Sequence, residues 1–316
     1  MVPHKRPSRP FVYDWRAEVA ALRAYRDNKP GRKIPAKQAD RALAATWNLT
    51  NFGVQKRRRS DIRVMAEIIS WFDIVAVQEV ADDLSHLDIL MRYLPGYDAV
   101  ITDPGGNAER LGFIYDRRKA KRRELSAEVA VPPAQHRYIR FPTVSGEFKG
   151  FDRNPFVTAF TIGALNLTFV SVHLYYGGKD WKAIDRRTLE TFAVARWANA
   201  RRRSDSRYAK NIAVLGDFNL PKRAPTDKVY RALISRGLVL PNHSTKMGSN
   251  LAGDQDYDQV AFFPGNLSQR MLAAGVYDFD GAVFKDAWET RPGDFQAIVK
   301  YYLADHRPLW VQFDAS

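Results

Sequence analysis

The sequence predicts an α/β fold in which mixed β-sheets are flanked by helices. Short, almost wholly apolar runs of strand length, such as Ile212–Leu215 and the run from Ile74 to Val77, recur along the chain. Stretches with helical spacing of apolar residues separate many of them, and other connections are of hairpin length. Neither a repeat nor a low-complexity block interrupts this alternation.

The first 41 residues read as a basic N-terminal arm containing one helix, and 42–316 as the main domain. Residues 1–10 are rich in proline and basic side chains and predict irregular chain. Asp14 to Asn28 predicts a helix, with Asp14 as N-cap and Trp15, Val19 and Leu22 near one face. Lys29-Pro-Gly-Arg32 ends it. The arm is expected to be an appendage to the main domain, its Arg/Lys touching a phosphate backbone or, equally, its helix solvated and packed by Trp15.

Ala42 to Asn48 opens the main domain as a strand, and a helix follows from about Ser60 with Ile62, Met65, Ile69 and Phe72 at helical spacing. Asp73 to Glu79 predicts a second buried strand, Asp82 to Tyr93 a helix, and Tyr97 to Thr102 and Glu109 to Tyr115 two strands around a Pro-Gly-Gly turn. Phe151 to Phe160 leads into a further strand and Leu165 to Leu174 forms the next. Trp181 to Arg203 predicts a long helix, Asp227 to Arg236 a shorter one, and Asp256 to Phe263 and Pro308 to Phe313 the last strands.

Composition bounds the chemistry. With 316 residues and 45% hydrophobic content the chain can bury a large core, and without cysteine it has no disulfide, thiol nucleophile or cysteine-ligated metal. The formal charge of +14 favours polyanionic partners, nucleic acid foremost. About half of that excess lies in residues 1–44, which hold 11 Lys/Arg against 4 Asp/Glu. Two further basic clusters, Lys56–Arg59 and Arg117–Arg123, are candidates either for a solvated edge or for DNA contact. No apolar stretch approaches the ~18 residues of a membrane-spanning helix. The basic N-terminus is followed by no apolar signal core, so a cytoplasmic location is expected.

The functional signal lies at the strand ends. In Asn211-Ile-Ala-Val-Leu-Gly-Asp-Phe-Asn-Leu220 an apolar strand stops at Gly216, and Asp217 and Asn219 follow. Alternation turns residues i and i+2 to the same side, so both can face one site. Asn48, Glu79, His173, Asp258 and the pair Asp305/His306 occupy comparable ends of other apolar strands. Taken singly, each is an ordinary cap or turn residue. Together, acids, amides and histidines form a set suited to phosphodiester cleavage with a hard divalent cation, Mg²⁺ or Mn²⁺. No Gly-rich phosphate loop points to ATP chemistry.

Thr46-Trp-Asn48 with Asn51-Phe52, Val77-Gln-Glu79, Ser171-Val-His-Leu174, Leu215-Gly-Asp-Phe-Asn219, Tyr257-Asp258 and Ala304-Asp-His-Arg-Pro308 occur in an order that resembles the endonuclease/exonuclease/phosphatase superfamily, in particular its pancreatic-type deoxyribonucleases. The resemblance covers about 42–313. It implies a four-layer α/β sandwich of two packed mixed β-sheets flanked by helices. It also implies a metal-dependent phosphodiester hydrolase, most simply a DNA endonuclease using Mg²⁺ or Mn²⁺, and it admits Ca²⁺ as a structural ion. Glu79 resembles the main metal ligand, with Asn48 and Asp305 beside it, Asp217 the residue that positions or deprotonates water, and Asn219 a phosphate holder. His306 resembles the histidine at the scissile phosphate, oriented by Asp258. His173 marks a two-histidine variant, with Glu109 expected to orient it or meet phosphate and Arg153 expected to contact phosphate.

Tyr175 and Tyr176 border the site or pack in the core, whereas His4, His86, His136 and His243 read as ordinary surface or loop histidines. The signatures of inositol-phosphate phosphatases (Trp-x-Gly-Asp-x-Asn, Pro-x-Trp-Cys-Asp-Arg) are missing. Inositol-phosphate or sphingomyelin hydrolysis therefore ranks second. A non-catalytic scaffold ranks last, since Glu79, Asp217 and His306 are all present.

Overall fold

The computed structural model of the chain describes residues 1–316 except 209, 244 and 246. Strands β1 (Arg41–Phe52), β2 (Ile74–Ala81), β3 (Tyr97–Ile101), β4 (Glu109–Asp116), β5 (Lys121–Glu128), β6 (Phe156–Ile162), β7 (Leu165–His173), β8 (Ile212–Asp217), β9 (Asp258–Phe262), β10 (Met271–Val276) and β11 (Leu309–Asp314) form two sheets. One has six strands in the order β10-β11-β1-β2-β4-β3, the other five in the order β5-β6-β7-β8-β9. Both are mixed: β1 runs parallel to β2, and β7 parallel to β8, while the other pairs are antiparallel.

Period-2 alternation divides each strand between two cores. Ala42 and Ala44 of β1, Ile74 and Ala76 of β2 and Val311 of β11 meet Phe169 of β7, Leu215 of β8 and Phe262 of β9 between the sheets. The alternate residues Leu43, Trp47, Val75 and Trp310 pack outward with α1 (Trp15–Asn28) and α2 (Arg59–Ser70). Val172 and Val214 of the second sheet face Val194 and Ala198 of the long helix Trp181–Arg202 and Leu233 of the helix Lys228–Ile234. The result is the expected sandwich of helices, sheet, sheet and helices. No helix is long and apolar enough to cross a membrane among the described residues.

Residues 1–40 do not trail from this body. Asp14 caps α1 by accepting from Arg16 N at 3.0 Å, as expected. Phe11, Val19, Leu22 and Ile34, however, are buried in the core outside the first sheet. The Tyr277 hydroxyl donates to Leu22 O at 2.8 Å, and the Tyr13 hydroxyl donates to Asp61 Oδ1 at 2.6 Å. The expectation of an appendage is corrected here: the arm is the outer wall of the first helical layer.

The basic clusters are also accounted for. Arg57 is buried and donates to Thr50 O at 2.6 Å, while Arg58 pairs with Asp61 and stacks over Tyr302. The Arg57 guanidinium is committed inside the fold, whereas Arg58 is partly exposed and Lys56 and Arg59 are exposed. The run Arg117–Arg123 leads into the edge strand β5, whose Lys121 pairs with Thr161 while Glu128 pairs with Phe156. Phe156 in turn lies opposite Ser171, near the His173 end of β7. The run therefore occupies the end of the sheet away from His173, as a solvated edge.

Candidate active site

The inward parity of the strands carries through to their ends. Thr46, Gln78 and Ser171 continue the between-sheet positions, and the Gln78 side chain bridges the sheets by donating to Ser171 Oγ at 3.1 Å and Thr46 Oγ1 at 3.2 Å. One step further along the same faces stand Asn48, His173 and Asp217, with Asp258 opening β9 beside Asp217. Gly216 makes the close packing possible: its φ is +140°, and a Cβ there would lie 2.1 Å from Val172 O.

Glu79 breaks the alternation. Gln78 takes the inward position, and Glu79 joins the site only because its backbone turns left-handed, with φ 59°. The pairing register of β2 shifts at the same point. Asn48 Nδ2 then donates both to Glu79 Oε1 at 2.8 Å and to Asp217 Oδ2 at 3.1 Å, while Asn51 N donates to Glu79 Oε2 at 2.6 Å. Asn48 Oδ1 accepts from Thr50 N at 2.9 Å. Asn48 thus presents N–H groups to the acids, a different employment from the metal ligand the resemblance implied.

Each site histidine has a carboxylate behind it. His306 Nδ1 lies 2.7 Å from Asp258 Oδ2, and the Trp47 indole donates to His306 O at 2.8 Å, fixing the backbone. His173 Nδ1 lies 2.8 Å from Glu109 Oε2, a close contact whose angle falls short of a linear hydrogen bond. The two Nε2 atoms both approach Asp217 Oδ2, His173 at 3.6 Å and His306 at 3.8 Å. His173 Nε2 is also 4.0 Å from Glu79 Oε1, and His306 Nε2 is 3.9 Å from Asp305 Oδ1.

Electrostatics follow from this crowding of acids. Burial and Arg153 push the His173 pKa down, but Glu109 and Asp217 outweigh them and hold it above its ordinary value. Burial likewise opposes protonation of His306, yet Asp258 and Asp217 carry its pKa well above the usual histidine range. Asp217 would be raised by burial, but the two imidazoles keep it below the ordinary carboxylate value. Glu109 is lowered to about 2, its burial outweighed by His173 and Arg153. Two imidazolium-prone rings therefore flank a carboxylate held ionised.

Two phosphate assignments are corrected. Arg153 is buried, and its Nε and Nη2 donate to His173 O at 2.8 Å and Leu174 O at 3.1 Å, with Nη1 3.5 Å from Glu109. Its guanidinium fixes the end of β7 through those carbonyls, with Nη1 also 3.2 Å from Asp152. Glu109 lies behind His173, buried, as its orienting partner. Asn219 does line the site, though its Nδ2 donates to Leu174 O at 2.8 Å and its backbone N to Asp217 Oδ1 at 2.8 Å.

A cavity of about 570 Å³ joins Glu79, His173, Asp217, Asn219, Asp305 and His306, with Tyr175, Tyr176 and Tyr257 on its wall. Both tyrosines after β7 thus border the site rather than the core. A second histidine contact was not foreseen: His4 Nε2 lies 3.1 Å from Asp305 Oδ2, whose other oxygen accepts from Thr50 Oγ1 at 2.7 Å. Nothing in a proline-rich basic terminus marks His4 as a site neighbour, because the contact spans 301 residues of sequence. Arg187 was also missed. It is buried and donates to the carbonyls of Tyr175, Tyr176, Gly178 and Asn219, clamping the loop that carries the tyrosines.

The donors fit a hard divalent cation. Carboxylates of the buried Asp217 and Asp258 and the half-buried Glu79 and Asp305 crowd two imidazoles, a concentration of negative charge that suits a cation. The tightest group of potential ligands among the described residues is Asp217, Asp258 and His306. In that trio Asp258 is spent on His306 Nδ1, so it reads better as a histidine held between two acids than as a cage.

Neither a known family profile nor a curated protein matches the chain in sequence. Its fold does match solved structures. An endonuclease/exonuclease/phosphatase family protein from Bacteroides thetaiotaomicron aligns with a TM-score of 0.57 at 19% identity, covering 87% of this chain and 99% of that one. The mannosyl-6-phosphatase Bt3783 of the same organism aligns at 0.55 and 19% identity, over 85% of this chain and 98% of its own. TDP2 of D. rerio, solved with a single-strand DNA product, aligns at 0.55 and 13% identity, over 86% and 98%. The chain therefore has the fold of the endonuclease/exonuclease/phosphatase family.

Proposed function

We propose that this chain is a divalent-metal-dependent phosphoesterase whose substrate is a nucleic-acid phosphodiester, DNA foremost. The observation that carries the reading is the pair of histidines, each with a carboxylate behind it, converging on Asp217 at 3.6 and 3.8 Å. In this reading Asp217 stays ionised between the rings and orients and deprotonates the attacking water. His306, kept as the imidazolium by Asp258 accepting at Nδ1, presents its Nε2–H to a non-bridging oxygen of the phosphate as charge builds there. His173 does the same from the end of β7. Asn48 keeps Glu79 and Asp217 apart and aimed. Mg²⁺ or Mn²⁺ held by Glu79 and Asp305 would neutralise the phosphate and the departing oxygen.

The net charge of +14 supports a polyanionic substrate, as does the DNA product seen with the TDP2 of D. rerio. A phosphatase acting on a small sugar phosphate is the second reading. A cavity of about 570 Å³ is the size of a small-ligand site, and the mannosyl-6-phosphatase shares the fold.

The test is a hydrolysis panel with Mg²⁺ or Mn²⁺ across DNA, RNA, sugar and inositol phosphates and sphingomyelin. Cleavage of nucleic acid is expected, and turnover of the small or lipid phosphoesters alone would overturn the substrate. Asp217→Asn and His306→Ala should each lower turnover by ~10²-fold or more with an unchanged circular-dichroism spectrum. Near-parental rates in either variant remove that residue from the chemistry.

A further inference from the structure

The N-terminal segment touches two residues that line the cavity, Asn107 and Asp305. His4 N donates to the buried Gln55 side chain at 2.8 Å while its ring meets Asp305, and Met1 N lies 2.8 Å from Asn107 O. Asp305 leads into β11 and Asn107 precedes β4. Since the sheet runs β11-β1-β2-β4, a segment joining those two points passes the ends of β1 and β2, which carry Asn48 and Glu79. Lys5 and Arg6, next to His4, are exposed.

The other side of the cavity has a different character. Tyr176 is 39% exposed and meets Tyr257 edge-on at 6.4 Å, and Tyr257 stacks on His306 at 5.8 Å. Arg187 holds the loop that carries Tyr176 through several backbone carbonyls. This wall offers fixed π-faces beside the reacting position.

We propose that residues 1–6 form a strap that closes the first-sheet side of the slot, so that a nucleic-acid strand enters by its end from the tyrosine side. The proposal rests on the phosphodiesterase reading and narrows its substrate from any internal duplex position to a strand end. Attack within an uninterrupted duplex requires the backbone to leave the site in both directions with its complement alongside. The strap occupies one of those exits. A strand end needs only the other, where the terminal bases stack on Tyr176 and Tyr257, while the exposed Lys5 and Arg6 add positive charge to the strap.

The experiment compares full-length protein with a variant lacking residues 2–9, a deletion that spares the buried Phe11 and all of α1. Each is given Mg²⁺ or Mn²⁺ and a labelled linear single-stranded oligonucleotide, the same sequence ligated into a circle, or p-nitrophenyl phosphate. Full-length protein should prefer the linear strand by about 100-fold in kcat/KM, and the deletion should cut that preference about tenfold by admitting the circle. Tyr176→Ala, which leaves the strap in place, should raise the KM for the linear strand by about tenfold. Binding measured by anisotropy in Ca²⁺ should show the same preference for the linear strand without turnover. Cleavage of the circle within about threefold of the linear strand, or a ratio unmoved by the deletion, overturns the strap. Hydrolysis of p-nitrophenyl phosphate with no action on either oligonucleotide instead overturns the nucleic-acid reading on which it rests.

Discussion

Orientation of His173 depends on one contact, the 2.8 Å approach of Glu109 to Nδ1, and Glu109 is itself backed by Arg153. Glu109→Gln removes the anion and leaves the bulk. Because Glu109 is a principal group raising the His173 pKa, its neutralisation must shift that pKa downward. The kcat-versus-pH profile of the variant should therefore lose the limb belonging to protonated His173 at lower pH than the parent, with kcat reduced by ~10- to 100-fold. An unshifted profile assigns the limb to another group. The chemistry-bearing residues were legible in sequence because carboxylate, amide and imidazole stand out at the end of an apolar run. Their employment was less legible. Whether Arg153 meets phosphate or the carbonyls of His173 and Leu174 depends on the direction of one side chain, which residue type does not encode.

At the level of elements, Gly216 and Glu190 carry the geometry of the second sheet's rim. Gly216→Ala forces a Cβ into Val172 O at a positive φ, and should lower unfolding stability by ~2 kcal/mol or more in urea titrations. Glu190, in the long helix, accepts from Tyr175 N at 3.0 Å and Asp152 N at 3.1 Å while wholly buried. Burial, only partly countered by those N–H donors and Arg186, raises its pKa to about 7. An acid raised in the folded state favours folding at pH values below its unfolded pKa, and that contribution is lost as pH rises through about 7. Between pH 4.5 and 8, stability of Glu190→Gln relative to the parent should therefore improve by ~3 kcal/mol, whatever fixed cost the amide adds.

The strands that sequence patterning found are apolar runs ended by polar tips, and these are the elements that build the site. It passed over β5, whose residues Lys121–Glu128 are mostly charged, as befits an exposed edge. It also passed over β10 and the short helix Lys285–Thr290, where apolar residues show no clear period, and over Phe295–Tyr302, although its Phe295, Ile298, Val299 and Tyr302 fall at helical spacing. Glu79 is the instructive case. Its tip was found, but its entry into the site depends on a left-handed backbone at a glutamate, a conformation that no nearby residue type announces.

For the whole molecule, the crowding of buried carboxylates predicts that a divalent cation binds the folded state and not the unfolded chain. Mg²⁺ or Mn²⁺ at about 100 times its Kd should raise unfolding stability by ~2.7 kcal/mol, and chelation should abolish hydrolysis while leaving the fold intact. The Asp217→Asn protein should show a smaller thermal shift on adding metal, and calorimetric scans with and without cation read both effects.

The contacts that hold the site together cross from one layer of the sandwich to the other. Asn48 reaches Asp217, His306 reaches Asp258, Glu109 reaches His173, and Gln78 ties to Ser171 beneath them. Neither half owns a working set of groups. A slip of the two leaves by a fraction of a bond length would disperse the cluster while every helix and strand kept its signature in far-ultraviolet spectra. Loss of turnover should accordingly come before loss of secondary structure on gentle denaturation, making hydrolysis a sensitive gauge of whether the two halves are seated.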